Sequence, residues 1–172
     1  NVYVEKISEQ LSKNNDVTVV TAEKSESFIK DNLEFQSFNL FDQDLSVEDK
    51  EIYLQDFSEK LNKEINLKSF DVIQSHYWLS GLVGKQIANK LNKPLVYTSH
   101  SLGIFLDGYN KERVDCEKII MTSSDAVTVS SKFEEDMISE NYKIDPTKIK
   151  QKTQGAVSYT QLTQPTSELV YI

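Results

Sequence analysis

The sequence is poor in several residue types that would each license a distinct chemistry. Its single cysteine, Cys116, excludes an internal disulfide framework and a multi-cysteine zinc site. No Asn-x-Ser/Thr acceptor occurs, and with one thiol this makes the cytoplasm the expected compartment. Positive charge is scarce: 19 Lys and Arg face 27 Asp and Glu, a formal charge of −8. That balance repels phosphate backbones and anionic lipid, and without a local basic patch neither nucleic acid nor a membrane surface is an expected partner. No apolar run approaches the roughly 18 residues of a membrane span, and the opening residues lack the basic-then-apolar pattern of a signal peptide. With five glycines in all, neither G-x-G-x-x-G nor a Walker loop is present.

What remains is an ordinary globular composition. Hydrophobic residues make up 38% and charged residues 27%, and the mean hydropathy of −0.46 implies a strongly polar surface. At roughly one domain per 100–200 residues, 172 residues form one domain or half of a larger protein. Val4, Ile7 and Leu11 recur at helical spacing from the first residues, so the reading starts in a helix with no preceding strand. Strands are expected at 16–21 and 33–40, and one long amphipathic helix over 48–67, where Leu54, Phe57, Leu61 and Ile65 share a face. Next come a strand at 71–76, a helix carrying Leu82, Ile87 and Leu91, and a strand at 94–97. A helix at 111–124, a strand at 125–129 and a helix running to Tyr142 follow, the last opened by a Ser131/Glu134 capping box.

Short strands alternating with helices of ten or more residues predict a Rossmann-like α/β fold: a doubly wound, mostly parallel sheet. Ligands of such sheets lie outside the carboxyl ends of the strands. Both histidines of the chain fall there, His76 ending one strand and His100 following the next, flanked by Tyr77, Ser99 and Ser101. A single histidine would be read as a satisfied strand cap. Two among hydroxyls suit a polyhydroxyl or phosphorylated ligand, since every group can donate or accept. Gly81 and Gly84 open the helix after His76; GxxG here is a packing device before it is a phosphate cradle. Arg113 and Glu117, four apart on a helix, pair; by spacing alone this is a surface ion pair. Asp42-Gln43-Asp44 has the form of a metal-binding D-x-D but sits in a loop rich in acids and reads as a solvated turn, so no metal is assigned. Trp78 and Cys116 read as packing residues, and 133–136 as a solvent-facing first turn.

Taken together and in order, residues 1–7, 71–84 (DVIQSHYWLSGLVG), 94–103 (PLVYTSHSLG), Arg113 with Glu117, and 124–130 (SDAVTVS) resemble the N-terminal, acceptor-binding domain of retaining GT-B glycosyltransferases of family 4, in the branch of D-inositol-3-phosphate glycosyltransferase and sucrose-phosphate synthase. The likeness runs from residue 1 to about 155. It implies that Asn1, Tyr77, Ser101 and Arg113 contact a sugar or sugar-phosphate acceptor, with His76 beside them, and that His100, the catalytic candidate, lies beside the transferred sugar. A nucleotide-sugar donor is implied as co-substrate, held by a second domain, with no other cofactor and no metal. Relative to the family pattern the first strand and its glycine loop are missing. At the position where the inositol-phosphate enzymes carry a lysine this chain has Val47, with Lys50 one turn later.

The resemblance sets residues 1–154 as the domain. Residues 155–172 shift abruptly to a polar, nearly uncharged composition and read as a non-native or unstructured tail. Without the donor half, the chain is expected to be inactive. Two other classes fit parts of the pattern: a stand-alone, non-catalytic α/β ligand-binding domain, and a metal-dependent transferase built on Asp42 and Asp44.

Overall fold

The computed structural model of the chain describes residues 2–42, 44–105, 110–151 and 168–172. In chain order these form α1 (Val2–Leu11), β1 (Asp16–Glu23), β2 (Phe28–Lys30), β3 (Leu33–Phe41), α2 (Val47–Glu51), α3 (Leu54–Glu64), β4 (Val72–His76), α4 (Trp78–Leu91), β5 (Leu95–Thr98), α5 (Lys111–Ser123), β6 (Ala126–Val129), α6 (Lys132–Met137), β7 (Ile149–Gln151) and β8 (Glu168–Tyr171). The alternation is that of a mixed α/β fold, as expected. The chain divides into two compact units, one of Asn1–Ile73 with Leu162–Ile172, the other of Gln74–Gln161.

In the first unit β1 is the central strand, its Val17, Val19 and Val20 all buried. It pairs in parallel with β3 and also with β8, Val17 standing opposite Leu33 on one side and Leu169 on the other. Of the tail set apart by composition, residues 155–167 lie outside the described residues; 168–171 form β8, where Val170 is fully buried. A short hairpin, absent from the sequence reading, adds β2 antiparallel to β3. Its two-residue turn places Asp31 at φ 53°, a left-handed conformation that aspartate tolerates better than most residues. Across the hairpin the Phe28 and Phe35 rings stack with centroids 5.3 Å apart.

The long helix expected over 48–67 is two helices. Ser46 caps α2, its hydroxyl accepting from the Asp49 N–H, and α3 begins afresh after Tyr53. The cause is visible in the apolar spacing: all four face-forming residues lie at 54 or beyond, so the first turns have nothing to bury and Ile52 is exposed. Lys50 of α2 donates to Glu23 at 2.8 Å and lies 5.4 Å from the centre of the Phe41 ring. Asp42 pairs with Lys24 at 3.0 Å, both side chains exposed, which fits the solvated-turn reading; Gln43 between the two aspartates lies outside the described residues.

The second unit carries the carboxyl end of β4, from Gln74, and then β5, β6 and β7 in that order. The pairings β5 with β6 and β6 with β7 are parallel. Its core is built from Ile87, Leu95, Tyr97, Leu102, Ile120, Met121, Val127 and Ile138, each 2% exposed or less. Helix α4 ends at Asn92 in the left-handed conformation (φ 52°), a common helix stop. The helix from Ser131 reaches Tyr142 as expected, but its last turn, Ile138–Tyr142, is π-helical and buries both Ile138 and Tyr142. Among the described residues no helix is long and apolar enough to cross a membrane.

The two glycines of α4 are packing devices. A Cβ at Gly81 would lie 2.9 Å from both Ile120 Cδ1 and Tyr97 Cε2, and one at Gly84 would lie 1.9 Å from Ser75 Oγ. Ser75 is fully buried, and its hydroxyl has no hydrogen-bond partner. Gly84→Ala is therefore expected to lower stability by about 1–3 kcal/mol, as overpacking does. Adding Ser75→Ala removes the colliding oxygen without orphaning a partner and should restore most of the loss. Urea denaturation of the two variants checks both expectations.

Candidate functional site

The site lies wholly within the second unit, at the carboxyl ends of β4 and β5, and two backbone features mark it. Tyr77, which follows β4, adopts φ 76° and ψ 158°, a region otherwise almost confined to glycine. Its N–H donates to the Thr98 carbonyl at 2.9 Å, which ties the end of β4 to the end of β5. His100, two residues after β5, is left-handed at φ 58°. Each such residue costs on the order of 1–3 kcal/mol, and residues held this way collect at ligand sites.

Arg113 sits in the first turn of α5, where the Asn110 side chain caps the helix by accepting from the Arg113 N–H. Its pairing with Glu117 is not the surface contact that spacing alone suggests. The arginine is 5% exposed and the glutamate 0%, and Nε donates to Oε1 at 2.8 Å. The remaining edge of the guanidinium faces the strand ends: Nη1 donates to the Tyr77 hydroxyl at 3.1 Å, and Nη2 to Ser101 Oγ at 2.9 Å and the Ser101 carbonyl at 3.2 Å. The guanidinium also lies 4.9 Å from the centre of the Tyr77 ring. Glu117 is itself saturated, for both its oxygens accept from the Gly103 N–H, at 3.1 and 2.9 Å, and Oε2 accepts from the Tyr142 hydroxyl. Burial, and then that hydrogen bond, push the Tyr142 phenol well above its usual range.

The two imidazoles are in direct contact. His76 Nδ1 lies 2.8 Å from His100 Nε2, with ring centroids 5.1 Å apart. His76 is buried and His100 exposed. Burial, with a smaller contribution from His100, lowers the His76 pKa to about 3, so His76 is neutral at physiological pH. Partial desolvation of the His100 ring also lowers its pKa, opposed by Glu134. Glu134 is a strut that the sequence reading placed differently: its N–H is capped by Ser131, but its carboxylate accepts from the N–H and hydroxyl of Ser130 and from the buried Ser99 hydroxyl. The S-x-x-E spacing found the helix start; that the carboxylate reaches across to β5 depends on the β5–β6 register.

The structure thus brings together His76, Tyr77, His100, Ser101 and Arg113, five of the six residues proposed from sequence. The sixth, Asn1, lies outside the described residues. Sequence reasoning missed Tyr142, which no motif signals: it reaches Glu117 from 25 residues away through the π-helical turn. Chemically the cluster offers a fixed cation, two hydroxyls and an imidazole at one place. Such a set can hold a phosphate or a polyol by charge-assisted hydrogen bonds. Among the described residues no group of three or more His, Cys, Asp or Glu stands close enough to hold a metal ion.

Comparison with known proteins gives consistent results. The family model for Glycosyltransferase Family 4 matches residues 1–151. The chain is 30% identical over 96 residues to D-inositol 3-phosphate glycosyltransferase of Corynebacterium glutamicum, a match covering 51% of this chain and 23% of that protein. To the protein of the same name from Salinispora arenicola it is 32% identical over 88 residues, covering 46% of this chain and 20% of that one. The chain therefore spans less than a quarter of the curated relatives it matches. Sucrose-phosphate synthase from Thermosynechococcus elongatus has a similar fold, with a TM-score of 0.78 over 90% of this chain and 42% of that one at 23% identity.

Two measurements probe the energetics of the site. Glu117→Leu leaves the guanidinium buried without its counter-charge and is expected to cost about 3–5 kcal/mol in urea denaturation. The double variant Arg113→Met with Glu117→Leu, which removes both charges, should recover most of it. The second measurement concerns acid. Unfolded His76 takes up a proton near pH 6.5, whereas in the folded chain it does so only near 3. The unfolded state therefore binds more protons throughout that window, and stability falls as the pH falls. Between pH 7.5 and 5 this amounts to about 2 kcal/mol from His76, at 1.36 kcal/mol per unit. His76→Gln should flatten the urea midpoint against pH over that range.

Proposed function

We propose, on the premise that this chain belongs to Glycosyltransferase Family 4, that it forms the acceptor-binding part of an enzyme that moves a sugar from a nucleotide sugar to a hydroxyl of a sugar or sugar-phosphate acceptor, with retention of anomeric configuration. The observation that carries the reading is the convergence of the Arg113 guanidinium, the Tyr77 hydroxyl and Ser101 Oγ beside an exposed imidazole. Arg113, buried and braced by Glu117, supplies a cation whose orientation is set before the ligand arrives. Tyr77 and Ser101 exchange their contacts with it for contacts to acceptor oxygens. His100, at the exposed end of the histidine pair, faces the sugar as it is transferred. The rate enhancement comes from positioning the two reactants and from stabilising charge on the departing diphosphate, the latter supplied by a second, nucleotide-binding domain.

The nearest lysine to the position that carries the acceptor-phosphate lysine in the inositol-phosphate enzymes is Lys50, and its ammonium is engaged by Glu23 and Phe41. This favours an acceptor held mainly by Arg113, Tyr77 and Ser101, and leaves both free and phosphorylated sugars as candidates.

The test is turnover by the full-length gene product on a panel of nucleotide sugars, with and without sugar and sugar-phosphate acceptors, and the product anomer read by NMR. Acceptor-dependent transfer with retention is expected, with none from the 172-residue chain by itself. Tyr77→Phe combined with Ser101→Ala should lower kcat/KM for the acceptor about tenfold, as the loss of two neutral hydrogen bonds implies, and leave the KM for the nucleotide sugar unchanged. A variant with wild-type acceptor kinetics would remove the basis of the assignment.

A further inference from the structure

We infer that His76 is a positioning residue for His100, fixing which of its ring nitrogens carries the proton and so whether the exposed imidazole meets its ligand as a donor or as an acceptor. The inference deepens the proposed function and rests on its placement of His100 beside the transferred sugar.

His76 Nδ1 and His100 Nε2 lie 2.8 Å apart. At that separation one N–H must lie between them, because two lone pairs or two N–H groups would repel. For a pair of neutral rings this leaves two arrangements. If His76 Nδ1 carries the proton, His100 Nε2 accepts and His100 carries its own proton on Nδ1. If His100 Nε2 carries it, His100 Nδ1 is a bare acceptor. The tautomer of the exposed ring is therefore coupled to that of the buried one, as a second nitrogen's hydrogen bond commonly settles which nitrogen of a histidine is free to act.

The surroundings make His76 the fixed member of the pair. It ends β4, is 8% exposed, and is followed by Tyr77, whose N–H bond to Thr98 and unusual backbone angles pin that corner. Burial keeps it neutral, so its two nitrogens are one donor and one acceptor and not two donors. His100 lies on a strained left-handed residue in the segment after β5, exposed, where its ring orientation depends on what it touches. Glu134 of α6 bears on it through space and favours the protonated ring, while His76 supplies a directional contact.

The chain has two histidines, so ring signals can be assigned without ambiguity. The experiment is a long-range 1H–15N correlation of the imidazole nitrogens in the 15N-labelled chain at pH 7.5. In the wild type both rings should show a single tautomer of the same kind, both protonated on Nδ1 or both on Nε2. In His76→Phe, which keeps an aromatic ring but offers no hydrogen bond, His100 should lose its wild-type nitrogen shifts, its tautomer no longer coupled to residue 76. In His76→Gln, whose amide can donate or accept, a single tautomer should persist. Should phenylalanine not pack, His76→Leu gives the same reading. His100 keeping its wild-type nitrogen shifts in a folded Phe or Leu variant would overturn the inference, as would opposite tautomers in the wild-type pair. The readout uses no substrate, so it stands or falls separately from sugar transfer. In the full-length enzyme the Phe variant should lower kcat with the acceptor KM unchanged, and Gln should recover much of it.

Discussion

The buried ion pair between Arg113 and Glu117 is the constraint on which the rest of the site depends. Taking a guanidinium and a carboxylate out of water costs several kcal/mol for each ion, and their mutual attraction offsets this only when the remaining donors and lone pairs are also satisfied. Here that condition shapes the neighbourhood. Glu117 uses its oxygens on Arg113, on the Gly103 N–H and on the Tyr142 hydroxyl, and Arg113 turns its remaining edge to Tyr77 and Ser101. The segment after β5 packs closely on α5 at Gly103, where a Cβ would crowd Arg113, Val114 and Glu117 at 3.1–3.2 Å. Compensating a buried charge with a counter-ion is how a core tolerates it; turning one edge of the cation toward the hydroxyls of Tyr77 and Ser101 is what a binding site requires.

Strain gathers around the same point. Tyr77 and His100 both hold backbone conformations that their side chains disfavour, and both lie at the ends of neighbouring strands. Tyr77 is kept there by its bond to Thr98, and Ser99, next to His100, by the Glu134 carboxylate of α6. The struts come from two directions, α5 behind Arg113 and α6 behind Ser99, so the cluster is set by the packing of two helices on one sheet edge. Rigidity of this kind reduces the ordering that a ligand must impose on binding.

The order of strands and helices in the second unit is legible in the sequence as far as Tyr142, because buried parallel strands read as short apolar runs and Ser131 and Gly84 carry their meaning locally; β7, three residues long, was passed over. The sequence also brought both histidines, Tyr77 and Ser101 to one sheet edge, since where a strand ends is a property of its own residues; Arg113, on a helix, was placed with them only by the family resemblance. In the first unit it joined α2 to α3, because charged residues at 47–51 continue a helical spacing without an apolar face of their own, and it passed over β2, three exposed residues with no periodicity to detect.

What these side chains do follows from the packing around them. Spacing places Arg113 beside Glu117 but cannot say whether the pair meets water, and the difference between a weak surface contact and a braced cation lies in Tyr142, Gly103 and the helices that bury them. Likewise the sequence set His76 and His100 at neighbouring strand ends, while the 2.8 Å between their nitrogens follows from the order of β4 and β5 and from two backbone angles. Local order is written in local preference; burial and direction depend on residues far apart in the chain, and no periodicity carries that information.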